Sequence, residues 1–77
     1  MLIEAQSKEF FLNNPDNIHF VPLDPENKLG EYGIISDSSS GSLLLGIYKD
    51  NNRAVEVYEE IKKLILGHKK YYLMPKE

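Results

Sequence analysis

Two histidines, His19 and His68, are the side chains of this chain best suited to proton transfer or metal binding. An imidazole works as a base or a ligand only when a carboxylate or a second ligand is held within reach of it. Neither histidine has a carboxylate at such a spacing, and the two are far apart in sequence. His19 is expected on a sheet face, and His68 at a helix end, where the dipole favours a cation. The serine-rich run SDSSSGS at 36–42 offers hydroxyls, but it lacks the lysine and the glycine spacing of a phosphate-binding loop. A strand rather than a helix follows it, so it reads as a solvated hairpin loop. Asp24, Glu26 and Glu31 do not have the ligand spacing of a calcium loop. No enzyme signature emerges; no catalytic residue, metal or cofactor is expected.

The C-terminal stretch HKKYYLMPKE at 68–77 asks for a different explanation. It is basic and aromatic, and it follows the point at which a small domain could end. In one reading Tyr71, Tyr72, Leu73 and Met74 form a last strand or strap on the chain's own body, since small domains tie down termini to gain buried area. In a second, Lys69, Lys70, Tyr71, Tyr72, Leu73 and Met74 bind a protein partner or a second copy, because an exposed apolar cluster of Tyr and Met suits an interface. In a third, Lys62, Lys63, Lys69 and Lys70 neutralise phosphates while Tyr71 and Tyr72 stack on bases. An anionic membrane surface belongs with this third class.

Charge distribution bears on that choice. The chain carries a net charge of −3. Residues 1–60 hold four basic side chains against eleven acidic ones, whereas residues 61–77 hold five lysines against Glu77. An acidic body repels a polyanion that the basic end would attract, so nucleic acid is the alternative and a protein partner the first expectation. Glu56, Glu59 and Glu60 form the acidic surface that could meet a basic groove on such a partner.

At 77 residues, 42% hydrophobic and 27% charged, the chain has the composition of one small globular domain. A domain of this size buries only about 60% of the surface its unfolded form exposes, so every large apolar side chain matters. Cysteine is absent, which removes disulfides and thiolate metal sites from consideration. No apolar run approaches the ~20 residues of a membrane-spanning helix. The opening MLIEAQSKEFFL carries Glu4 and Glu9 and does not read as a secretory signal. A cytoplasmic location is expected.

The elements that must position these residues follow from periodicity. Short strand patterns occur at 2–6 (LIEAQ), 9–12 (EFFL), 18–23 (IHFVPL), 31–36 (EYGIIS) and 43–48 (LLLGIY). Turn signals separate them at NNPDN and, most strongly, at 24–30 (DPENKLG). Pro22 cannot donate to a ladder and predicts an edge strand. Gly46 predicts a bulge or a close approach by the helix. Asp50 is placed to cap a helix over about 51–66, whose apolar stripe is Ala54, Tyr58, Ile61 and Ile65, widened by Val55, Val57 and Leu64. Acidic residues lie early and lysines late in it, Glu59 is spaced to pair with Lys63, and Gly67 suits the helix end.

At LGIYKDNNRAVEVYEEI the chain resembles small uncharacterised proteins of phages and other mobile elements of Gram-positive bacteria. The matching residues are Leu45, Gly46, Tyr48, Arg53, Ala54, Val57 and Ile61, with a weaker likeness near Gln6 and Lys8. The likeness covers about a third of the chain, and the longer C-terminus departs from it. It implies a strand–cap–helix unit and a mobile-element origin, and it brings no catalytic residue. The expected fold is α+β: a small antiparallel sheet of four to five short strands, meander-like, with one C-terminal amphipathic helix packed on one face. Residues 1–68 form the single domain and 69–77 a tail. The expected function is a non-enzymatic protein-interaction or regulatory module, including inhibition of a host factor through its acidic surface.

Overall fold

The computed structural model describes residues 1–15, 17–23 and 30–77. The elements are β1 (Leu2–Glu4), β2 (Phe11–Asn13), β3 (Ile18–Pro22), β4 (Tyr32–Ser38), β5 (Gly41–Tyr48), α1 (Asn51–Leu66) and β6 (Tyr71–Leu73). The expected α+β architecture is met. Its strands form two three-stranded sheets, ordered β2-β1-β6 and β3-β4-β5, rather than one meander. The turn expected at 24–30 and the acidic pair Asp24 and Glu26 fall almost wholly outside the described residues.

The β3-β4-β5 sheet follows from local chemistry. Its strands are rich in Ile, Leu, Val and Tyr, and β4 and β5 join through Ser39–Ser40, the polar connector expected from the serine run. Pro22 lies on edge strand β3, where its missing N–H costs nothing. The β4–β5 register shifts between Ile34 and Ile35, which pair with Gly46 and Leu44, so Leu45 is an extra residue on β5. This bulge buries the Leu45 side chain and turns its carbonyl outward to accept from Gln6 N–H at 2.8 Å. Gly46 beside it is tightly enclosed, though not by the helix. A Cβ there would lie 2.9 Å from the Tyr48 hydroxyl and 3.2 Å from Met74 Cε.

Helix α1 begins where Asp50 accepts from Arg53 N–H at 2.8 Å. Ala54, Val57 and Ile61 are buried, while Ile65 at the end of the expected stripe is exposed. Tyr58 packs edge-on against Phe20, with ring centroids 5.3 Å apart. The first turn holds no acidic residue, and Glu59 pairs with Lys62 at 3.5 Å rather than with Lys63. The helix ends in a Schellman motif: Lys69 N–H bonds Leu64 C=O at 3.0 Å and His68 N–H bonds Ile65 C=O at 3.1 Å. The left-handed residue of that motif is His68, φ 57°, and not Gly67, φ −85°.

The C-terminal stretch then returns along the N-terminus. β6 pairs with β1 in parallel, Ile3 opposite Tyr72, while β2 pairs with β1 on its other side. The core is common to both sheets and the helix: Ile3, Ile34, Leu45, Tyr48, Ala54, Val57, Ile61, Tyr72 and Met74. The stretch read as a tail is therefore a structural part of the domain.

Candidate functional site

Alternation along β6 divides the expected partner-binding residues into two sets. Tyr72 and Met74 are 8% and 6% exposed and belong to the core. These two cannot serve a partner while the domain is folded. Tyr71 and Leu73, 55% and 49% exposed, face the other way.

Cross-strand register shows what joins them on that outer face. Leu73 shares a row with Glu4 and Phe11, and Tyr71 shares the next row with Leu2 and Asn13. Phe11 is 62% exposed. The outer face of the β2-β1-β6 sheet is thus an apolar surface of Phe11, Leu2, Tyr71 and Leu73, with the Glu4 carboxylate set among them. Tyr71 and Leu73 are among the residues expected to bind a partner; Phe11 carries only a strand signal in the sequence, because its juxtaposition with Tyr71 and Leu73 needs the pairing of β1 with both β2 and β6.

Lys69 and Lys70 lie at one end of this surface. With His68, Ile65, Met1, Asn13, Asn14 and Pro15 they line a cleft of about 580 Å³. The Met1 amino group donates to Asn14 Oδ1 at its mouth. Ammonium groups and side-chain amides around an apolar wall suit an anionic or acidic ligand group.

The far end of the strand is fixed by hydrogen bonds. Gln6, half-buried at the end of β1, presents its side-chain amide to β5 and to the C-terminal segment at once. Its Oε1 accepts from Ile47 N–H at 2.7 Å, and its Nε2 donates to the carbonyls of Ile47, Pro75 and Lys76 at 3.0, 3.2 and 2.8 Å. The Tyr48 hydroxyl donates to Pro75 C=O at 2.9 Å, and Arg53 Nε to Glu77 C=O at 2.8 Å. Burial pushes the Tyr48 phenol up to about 12, with Arg53 opposing and Glu60 adding to the effect. Burial also raises the Tyr72 phenol, helped by the Glu60 carboxylate beside it. Among the described residues, the Tyr72 hydroxyl makes no hydrogen bond of good geometry.

The other candidates are dispersed. His19 Nε2 lies 3.4 Å from Asp37, and its Nδ1 lies 3.1 Å from Asn17 C=O. Ser42 donates to the other Asp37 oxygen. The order is hydroxyl–carboxylate–imidazole, so the imidazole does not touch the Ser42 hydroxyl and cannot take its proton directly. His68 is at the helix end, in the cleft, in a separate setting. Glu56, Glu59 and Glu60 are exposed, but Glu56 meets Arg53 at 3.4 Å, Glu59 meets Lys62, and Glu60 sits by Tyr72. Among the described residues, no three His, Asp or Glu side chains are grouped to hold a metal ion. Among those residues, no helix is long and apolar enough to cross a membrane.

Comparison of the chain with protein-family models, curated proteins and solved structures finds no match.

Proposed function

We propose that this chain is a non-enzymatic protein-interaction module whose working surface is the outer face of the β2-β1-β6 sheet. One observation carries the reading. Phe11, Tyr71 and Leu73, from the two outer strands of one sheet, stand about half exposed or more on the face opposite the core. A small domain whose core is short of apolar residues gains nothing in stability by leaving three of its largest in water. The adjoining lysines and cleft add a basic margin, which suits a partner with an apolar patch beside acidic groups. A mobile-element origin rests on the LGxY–RAxxV likeness alone, and inhibition of a host factor would rest on the acidic surface of Glu56, Glu59 and Glu60 instead of this face.

The test is affinity capture from lysate of the producing cells, with the unaltered chain beside a Phe11→Ser, Leu73→Ser variant of unchanged melting behaviour. Loss of a specific partner on the variant alone is the expected result. Equal capture by both sinks the assignment of this face.

A second reading has its own observation, the cleft that gathers Lys69, Lys70 and His68 beside Asn13 and Asn14. In that reading the basic end holds a phosphate backbone. Binding to single-stranded nucleic acid would then fall by roughly 0.7 powers of salt concentration per phosphate neutralised. Binding that is flat with salt removes it.

A further inference from the structure

The β1–β6 ladder uses the hydrogen-bonding groups on only one side of β6. Leu2 N–H bonds Lys70 C=O at 2.9 Å, and Met74 N–H bonds Glu4 C=O at 3.1 Å. With Ile3 opposite Tyr72, the groups of Tyr72 also point towards β1. Backbone groups alternate between the two sides of a strand, so the N–H and C=O of Tyr71 and of Leu73 point away from the sheet. They have no partner among the described residues. The opposite edge, β2, is not equally open. A groove of about 200 Å³ separates Leu12, Asn13 and Asn14 from Ser36, Ser38 and Leu43, so β2 faces the β4–β5 hairpin.

We infer that β6 pairs antiparallel with β6 of a second copy of this chain, across a two-fold axis at Tyr72. This rests on the interaction-module reading and names its partner. The register is dictated by the free groups. They belong to residues two apart, and an antiparallel strand centred on Tyr72 sets Tyr71 opposite Leu73 of the second copy, and Leu73 opposite its Tyr71. Both are close hydrogen-bonded pairs, and together they satisfy all the outward groups of both strands with four hydrogen bonds. On the outer face each Tyr71 ring then lies against a Leu73 side chain, an aromatic–aliphatic cross-strand contact that covers two half-exposed residues per copy. The two sheets join as one of six strands. Tyr71, Tyr72 and Leu73 include no charge, proline or bulge of the kind that blocks such pairing. Lys69 and Lys70 flank the strand and confine the pairing to these three residues.

The experiment is the solution mass of the full chain by light scattering coupled to gel filtration, from about 10 µM to about 1 mM, beside two variants. Leu73→Pro removes an outward N–H without touching the ladder to β1, and proline is tolerated on an edge strand. Leu73→Lys keeps the N–H and puts a charge on the new interface, which serves if the proline variant does not fold. A dimer that weakens roughly tenfold or more in either folded variant is the expected result. A chain monomeric throughout the range overturns the pairing, as does a dimer that survives both variants. Lysate capture that still depends on Phe11 in a monomeric chain would overturn this pairing alone and leave the interaction-module reading standing.

Discussion

Gln6 is the residue whose replacement probes the C-terminal attachment most sharply. Its amide makes four contacts of 2.7–3.2 Å to three backbone residues of β5 and the C-terminal segment. Two amide protons serve three carbonyls, so about three effective hydrogen bonds are at stake, each worth about 0.5–1.5 kcal/mol net. Water reaches part of the exposed Ile47 and Lys76 backbone and compensates, which brings the expected cost of Gln6→Ala to about 2 kcal/mol. A chain of this size is stable by only about 4–12 kcal/mol, and such a loss lowers its Tm by about 8–16 °C. Gln6→Glu should be worse at neutral pH. One oxygen still accepts from Ile47 N–H, but the other then faces three carbonyl oxygens with no proton to give.

The pH dependence of the glutamate variant has a defined sign. Its carboxyl is driven above the ordinary value of about 4.3 in the folded state, because only the protonated form can donate to those carbonyls. The folded state therefore binds more protons, and stability falls as pH rises from about 4 until the raised folded value is passed. Urea denaturation followed by circular dichroism, on both variants at about pH 4 and pH 7, reads this directly. The glutamate variant should be the less stable at pH 7 and should close on the alanine variant in acid. An alanine variant within about 0.5 kcal/mol of the parent would refute the role given to Gln6.

Other outcomes follow from the same geometry. Met74→Ala should cost about 2–4 kcal/mol in thermal or urea melts, since Met74 is 6% exposed in the shared core; a free tail would lose nothing. His68→Gly should leave stability unchanged or raise it by up to about 1 kcal/mol, because glycine takes the left-handed φ of 57° without the Cβ penalty, and a clear loss in a melt would contradict the cap. Tyr48 should stay protonated to about pH 12 in the folded chain, so stability should decline as pH rises from about 10, where the unfolded phenol ionises, towards 12. Ultraviolet titration of Tyr48→Phe against the parent isolates that phenol, and its ionisation near 10 would show that it is not buried.

What the sequence disclosed was local, and what it concealed was not. Asp50 as the cap, Ala54–Val57–Ile61 as the buried helix face and the serine turn all depend on residues within a few positions of one another. Pro22 marked its edge for the same reason. The parallel β1–β6 pair joins residues about 70 positions apart over three residues each, too short for a period-2 pattern to declare itself. Without it, the alternation in KKYYLM could be read as a strap, an interface or a stacking surface. The structure shows a strap on one face, with Tyr72 and Met74 turned into the core and Tyr71 and Leu73 left exposed on the other. Gln6 was invisible because a side-chain amide paired to a strand edge leaves no mark on spacing. The left-handed residue is His68 rather than Gly67 because Gly67 is itself the cap after Leu66, with φ −85°, and the Lys69 bond to Leu64 closes the turn one residue later. Ile65 kept its helical spacing but lost its cover, since the helix end overhangs the cleft.

Amide hydrogen exchange, resolved residue by residue along 69–75 in a dilute and a concentrated sample, tests whether the C-terminal stretch is a strand of this domain. Slow exchange at Tyr72, bonded into the β1 ladder, and at Met74, bonded to Glu4 C=O, is expected at both concentrations. Fast exchange at Tyr71 and Leu73 is expected in the dilute sample, with protection appearing on concentration if copies pair through β6. Fast exchange at all four amides would make 69–77 a free tail, and the shared core and the proposed interaction face built on its strand would fall together.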